Sequence, residues 1–338
     1  TRQAAADFAK DTGGPTVRME DGFIRSRGLG SDFVGALSVA LDDQGVYYDP
    51  SRPSRLETQI ETSDLSPVQL ARAAALRTRV VDAGLSKYNL RGQAPTDWPA
   101  DRDILLVVGQ VENDKSILLG CAPDLNTNSA LVEAARRDHP DAFLVYRNHP
   151  DVLAGNRPGR LDAGAMASVD AVGDGLDIVD CLNACRRVAT LTSLTGFEAL
   201  MRGKAVSVYG RPFYAGWGLT DDRLTFERRN RRAGVDLVAD AVEPGHQQRR
   251  ERQIGVRRRV GEAGLDALGF RRFGPRNTDA ARAVARRIGP QHRRLEPRDQ
   301  PLVAVGRGVG QRVQRPGVLE DAADEPQRLL AQIGIFVA

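Results

Sequence analysis

The chain has 338 residues, 41% of them hydrophobic, with three cysteines and a formal net charge of +4. That length accommodates two domains with cores of their own. Neither a secretory leader pattern nor an apolar run of about 18 residues is present, so a soluble, cytoplasmic protein is expected.

The basic balance invites a nucleic-acid reading, but its distribution argues against one. Residues 1–241 carry 29 Lys+Arg against 33 Asp+Glu, a net of −4, whereas 242–338 carry 19 Arg, no Lys and 11 acids, a net of +8. This tail lacks Ser, Tyr, Trp, Cys and Met, and its arginines run together (Arg257 to Arg259, Arg286-Arg287, Arg293-Arg294) without interleaved aromatics. Such a composition reads as disorder, or as the product of a shifted reading frame, rather than as a binding arm. No nucleic-acid partner is expected. Cys121, Cys181 and Cys185 show no metal-ligand spacing and read as buried thiols. A start at Thr1 rather than Met suggests a fragment.

In chain order, the first residues read as a helix end, and Thr16 to Met19 as a strand entering a Glu20-Asp21-Gly22 turn. Leu37 to Leu41, an Asp42-Asp43-Gln44-Gly45 turn and Val46 to Tyr48 suggest a β-hairpin. Pro67 to Val81 has apolar residues at helical spacing, and Pro95 and Pro99 mark residues 91–102 as a linker. Beyond it, strands are predicted at Ile104 to Val108, Phe143 to Tyr146, Val188 to Leu191 and Ala205 to Tyr209. Helices alternate with them at Ala130 to Arg137 and Gly196 to Arg202. Strand–helix alternation predicts a parallel, doubly wound sheet, whose ligands sit past the carboxyl ends of the strands.

Asp114, His149 and Thr192-Ser193 all fall just past predicted strand ends. Asp114, flanked by Gln110 and Ser116, can serve as a nucleophile or base, or simply cap a helix. His149 precedes Pro150, which fixes the backbone beside the ring and presents it to a phosphate or leaving-group oxygen. His139 also precedes a proline but reads as a solvated turn at the other end of its strand. Thr192 and Ser193 open a helix, as an anion site or as plain caps. Glu198, in that helix's first turn, either accepts ribose hydroxyls or complements the helix dipole. Glu20 and Asp21 form a like-charged pair, suited to a general base or simply solvated, with Arg25 close enough to meet a substrate carboxylate. The aromatic, Gly-rich run Pro212 to Thr220 reads either as a substrate-shaping loop or as packing.

Seven segments, taken together and in order, resemble the β-Kdo transferases of bacterial capsule biosynthesis and export; Kdo is 3-deoxy-D-manno-oct-2-ulosonic acid. They are RMEDGFIRSRGLGSDF (18–33), LDDQGVYYDPSRPSRLE (41–57), SKYNL (86–90), VVGQVENDKSI (107–117), YRNHPDVLAGNRPG (146–159), TSLTGFEALMRGK (192–204) and YGRPFYAGWGLTDD (209–222). The similarity spans about residues 10–240 and is greater to the second of two tandem modules, the one associated with a β-2,7 rather than a β-2,4 linkage. The motifs are also similar to those of bacterial sialyltransferases.

The resemblance implies an α/β, GT-B-like fold: two Rossmann-like lobes, 1–95 on the acceptor side and 100–240 on the CMP-sugar side, with a cleft between them. It implies a retaining transferase moving Kdo from CMP-β-Kdo to a lipid-linked Kdo acceptor, with Asp114 as nucleophile and Glu20, Asp21 and His149 as further catalytic groups. Gln110, Ser116, Thr192, Ser193, Glu198 and Arg25 are the expected donor-binding residues, with no cofactor and no metal. Capsule biosynthesis and export proteins are the implied partners, at the inner membrane. The alternative is an inactive binding or scaffold component of the export machinery. One departure stands out: the family has Lys-Pro before the His-Pro pair, and this chain has Arg147-Asn148, keeping the charge but losing the rigidity of proline.

Overall fold

The computed structural model describes residues 17–29 and 34–242. The helix end expected at the start and the Arg-rich tail lie outside the described residues.

The core is a parallel sheet whose strands are β3 (Ile104–Val108), β4 (Phe143–Arg147), β5 (Ala171–Val172), β6 (Arg187–Thr190), β7 (Ala205–Val208) and β8 (Asp221–Asp222). Their spatial order is β5-β4-β3-β6-β7-β8. The chain fills one half of this sheet outward from β3 and then returns to β6 to fill the other, the doubly wound arrangement of dinucleotide-binding folds. The switch point lies between β3 and β6, where Leu106 pairs with Val188.

All five residues of β3 are apolar and buried, as a central strand covered on both faces requires. Leu105 and Val107 face a layer with Leu131, Val132 and Tyr146, while Leu106 and Val108 face Leu182, Phe197 and Trp217. Period two along one strand thus serves two cores. The covering helices include α3 (Lys115–Gly120), α4 (Asn128–Asp138), α5 (Pro150–Leu153), α6 (Ala163–Ala167), α7 (Ile178–Ala184) and α8 (Leu194–Met201). Cys181 and Cys185 are buried, and burial pushes their thiols up to about 11 and about 12.

Ahead of the sheet, β1 (Arg18–Asp21) pairs antiparallel with β2 (Val39–Asp42), followed by α1 (Arg55–Thr62) and α2 (Pro67–Asp82). Here the predicted hairpin is corrected. The strand at 39–42 takes β1 as its partner, and Val46 to Tyr48 forms a turn. Asp42 enforces that turn, its carboxylate accepting from the backbone of Gln44, Gly45 and Arg55 at 2.8 Å each. Glu20 and Asp21 are likewise part of β1 rather than the turn after it. Ser66 and Gln69 form a capping box before α2, with Pro67 at the first helical position.

This segment buries Leu56, Ile60 and Leu65 in the core on one face of the sheet, and ion pairs add to the contact. Arg77 and Arg72 of α2 meet Asp236 (2.6 Å) and Asp240 (2.8 Å) on α9 (Val235–Val242). Glu57 of α1 receives Arg228 and Arg229 at 2.8 and 3.2 Å. Among the described residues no helix is long and apolar enough to cross a membrane.

Candidate functional site

Three of the residues predicted past strand ends, Asp114, His149 and Ser193, turn out to cap helices. Asp114 caps α3, accepting from the Ser116 backbone at 2.9 Å and from its hydroxyl at 2.8 Å. His149 caps α5, its Nδ1 accepting from Asp151 N–H at 3.2 Å. Ser193 caps α8, accepting from Thr195 N–H at 3.2 Å. The capping reading therefore holds for all three side chains.

These residues meet in one cleft of about 350 Å³ at the carboxyl ends of β3, β4 and β6. Glu20, Asp21, Gln110, Asp114, Ser116, His149, Thr192, Ser193 and Glu198 all line it. The β1 acids and Asp114 approach the cleft from different parts of the chain, and both act on one group. Burial first, then Glu20, Asp21 and Asp114, raise the Tyr47 hydroxyl well above its ordinary pKa.

Gln110 and Glu198 are braces as much as lining. The Gln110 side chain accepts from Thr192 N–H at 2.8 Å and donates to its hydroxyl at 3.0 Å, tying the end of β3 to the start of α8. Buried Asn128 holds the Gln110 backbone from both sides, at 2.9 and 2.8 Å. The Glu198 carboxylate accepts from Lys87 N–H at 2.7 Å, and burial raises its pKa.

Arg25 is not brought into the cleft. Its guanidinium is held by Asp21 at 2.5 Å, by the Ser26 hydroxyl at 2.9 Å and by the Val34 carbonyl at 3.0 Å, and it is absent from the lining. An acid four residues away captured it. His139 is half-buried against the Ser207 hydroxyl at 3.2 Å, not fully solvated.

Burial pushes His149 down to about 4, outweighing the opposing field of Asp151. The imidazole is therefore neutral near pH 7. Although its Nδ1 lies 3.8 Å from the Asp151 carboxylate, that contact is no ion pair in the neutral state. With Nδ1 accepting from the backbone, the proton sits on Nε2, leaving a donor for an anion.

The Asn148 departure is compensated locally. Its N–H and side-chain amide both donate to Asp174, at 3.0 and 2.8 Å, and fix the backbone before His149 as proline would. Proline, lacking an N–H, could not make the first of these bonds.

Lys87 and Tyr88, given no role from the sequence, line the cleft as well, beside Arg147 and Phe213. Lys87 had a weak local signal. Ser86 and Asn89 close a tight turn with bonds of 3.0 and 3.1 Å, and Asn89 has φ +49°, a conformation asparagine tolerates. The aromatic loop packs: Phe213 contacts Phe23 at 5.0 Å between centroids, and Trp217 is fully buried. Phe213 also lines the cleft.

Comparison with known proteins follows the same outline. The family described as capsule polysaccharide biosynthesis protein matches residues 1–91 and 69–244. The capsule polysaccharide modification protein LipA of Neisseria meningitidis serogroup A is 43% identical over 243 residues, covering 71% of this chain and 34% of LipA. The lipopolysaccharide-processing protein LpsZ of Rhizobium meliloti is 44% identical over 245 residues, 71% of this chain and 56% of LpsZ. The chain thus spans between a third and just over half of these curated relatives. The β-Kdo 2,4 transferase of Thermosulfurimonas dismutans KpsC superposes with a TM-score of 0.64 at 35% identity, covering 71% of this chain and 75% of that one. The β-Kdo 2,7 transferase of the same protein gives 0.58 at 31% identity, with 72% and 80% covered. Both figures are higher for the 2,4 module, so the expected closer similarity to the 2,7 module is not reflected in them. With its sequence matched over most of the described residues and its fold shared with two solved Kdo transferases, the chain belongs to the capsule polysaccharide biosynthesis protein family.

Proposed function

We propose that this chain is a glycosyltransferase module that moves Kdo from CMP-β-Kdo to a lipid-linked Kdo acceptor with retention of configuration. One observation carries the reading: a single cleft at the switch point gathers Asp114, His149, Thr192-Ser193 and the Glu20-Asp21 pair. The solved relatives with this fold are titled Kdo transferases.

In this mechanism Asp114 attacks C2 of Kdo as the C2–oxygen bond to CMP breaks, giving a glycosyl ester and free CMP. Nε2–H of neutral His149, together with the hydroxyls of Thr192 and Ser193, holds the departing phosphate. Glu20 or Asp21 then removes the proton of the acceptor hydroxyl, whose oxygen displaces the Asp114 carboxylate at C2. Two inversions restore the β configuration. Protein donors balance the single negative charge of the phosphodiester, so no metal or cofactor takes part. Residues 1–95 form the acceptor side and 100–240 the donor side of a two-lobed GT-B-like enzyme. The partners are CMP-Kdo, the lipid-linked acceptor and capsule export proteins at the inner membrane.

The test is intact-mass spectrometry after incubation with CMP-Kdo, generated in situ because it is labile, and a short Kdo acceptor. A Kdo-sized adduct mapping to Asp114 and lost in Asp114→Ala is expected. Normal product formation by Asp114→Ala overturns double displacement. CMP binding with neither adduct nor product identifies an inactive scaffold component instead.

A further inference from the structure

The cleft contains a cation that the mechanism above leaves unused. Four basic residues line it: Lys87, Lys115, Arg147 and Arg157. Lys115 is exposed, Arg157 donates to the Asn113 side chain at 2.8 Å, and Arg147 donates to the Leu176 carbonyl at 3.2 Å. None of the four makes an ion pair among the described residues. Lys87 is half-buried, as Arg147 is, but its side chain is not taken up by a backbone carbonyl or a side-chain amide.

The backbone of Lys87 is pinned from both sides. Its N–H donates to Glu198 at 2.7 Å, and its carbonyl accepts from Arg25 N–H at 2.8 Å and Ser26 N–H at 3.2 Å. Nζ lies 5.0 Å from the centroid of the Tyr88 ring, which itself packs edge-on against His149 at 6.2 Å. Burial works to lower the ammonium's pKa, but Tyr88 and the fields of Asp21 and Asp114 outweigh it, so the group stays charged. A charged ammonium held in a partly buried cleft without a carboxylate partner is costly to keep unless something anionic meets it.

We propose that Lys87 recognises the carboxylate on the anomeric carbon of a 2-ulosonic acid, and so selects acidic over neutral sugars. This deepens the transferase reading and rests on it. In a 2-ulosonic acid the C1 carboxylate is bonded directly to C2, the carbon that must lie between Asp114 and the acceptor-side base. The ammonium lines the same cleft as Asp21 and Asp114 and feels the fields of both carboxylates. Arg25, the other candidate, is committed to Asp21.

The experiment measures equilibrium binding by calorimetry or NMR, first of CMP and then, at saturating CMP, of Kdo and of its uncharged C1 amide. The unmodified protein is expected to prefer Kdo by about tenfold or more, the usual worth of one charge-assisted hydrogen bond. Lys87→Met should bring that ratio near one while leaving CMP affinity unchanged, which also shows that the variant is folded. Lys87→Arg should retain most of the preference. Equal binding of acid and amide by the unmodified protein, or an undiminished preference in Lys87→Met, overturns the assignment with the transferase reading intact. Loss of CMP affinity in Lys87→Met overturns it too, by placing Lys87 on the phosphate. Failure of the unmodified protein to bind CMP removes the reading of the site itself, a result distinct from the others.

Discussion

At the residue scale, His149 shows how burial tunes a side chain. Its pKa of about 4 lies below the ordinary value of 6.5, so between these the unfolded chain binds more protons than the folded one. Stability then rises with pH across that window and is lost as pH falls through it. The full contribution is on the order of 3 kcal/mol. Urea titrations between pH 4 and 7 should show this slope, and His149→Gln should flatten it; an unchanged slope would mean the ring is not buried in solution. Asp114 allows a cleaner separation of roles. Asp114→Asn keeps a helix cap but removes the nucleophile, so it should lose transfer activity at nearly unchanged stability. Asp114→Ala should lose both, with a stability decrease of about 1 kcal/mol in chemical denaturation.

At the scale of elements, the contact of α1 with the Arg228-Arg229 segment is the most sensitive joint. Glu57 and Arg229 are both buried, and Arg229 also donates to the carbonyls of Pro212 and Ala215, at 2.6 and 2.5 Å, behind the Phe213 loop. Glu57→Ala would leave a buried guanidinium without its carboxylate and should cost roughly 3–5 kcal/mol in equilibrium unfolding. A cost below about 1 kcal/mol would indicate an interface open to water. The β3 strand was legible in the sequence to the residue, because a central strand covered on both faces has no polar position to blur its limits. The 37–48 region was not. Alternating apolar residues fit either neighbour as a partner, and only the tertiary pairing with β1 decides between them. The site was legible wherever its residues follow strands. Lys87 was not, since its placement depends on Glu198, far along the chain. Arg25 was misplaced because nothing in a sequence says whether an arginine will reach outward or fold back on an acid four residues away.

For the whole molecule, the sheet order sets where chemistry can occur. The β3/β6 switch point opens a crevice that Gln110 and Asn128 hold at its base. The basic balance of the full chain belongs to residues 242–338, while the part that forms the cleft is net acidic. Removing residues 243–338 should therefore abolish any salt-sensitive DNA retention and leave CMP affinity as it was; loss of CMP binding would show that the site extends into the removed part. Transfer activity is expected to be unaffected by EDTA, and inhibition reversed by a divalent cation would require the electrostatics of the phosphate site to be redrawn.

The helix caps formed by Asp114, His149 and Ser193, the same residues proposed to act on substrate, bear on how relatives of this chain should be compared. Each begins a helix, so drift that erased transfer activity would still meet resistance at these positions from folding alone. A descendant that had become a passive subunit could carry the full set of motifs for a long time. Shared motifs among such proteins are then a record of ancestry and foldability. Positions proposed to meet substrate but without a capping role, Lys87 foremost, are where a loss of catalysis would be written first.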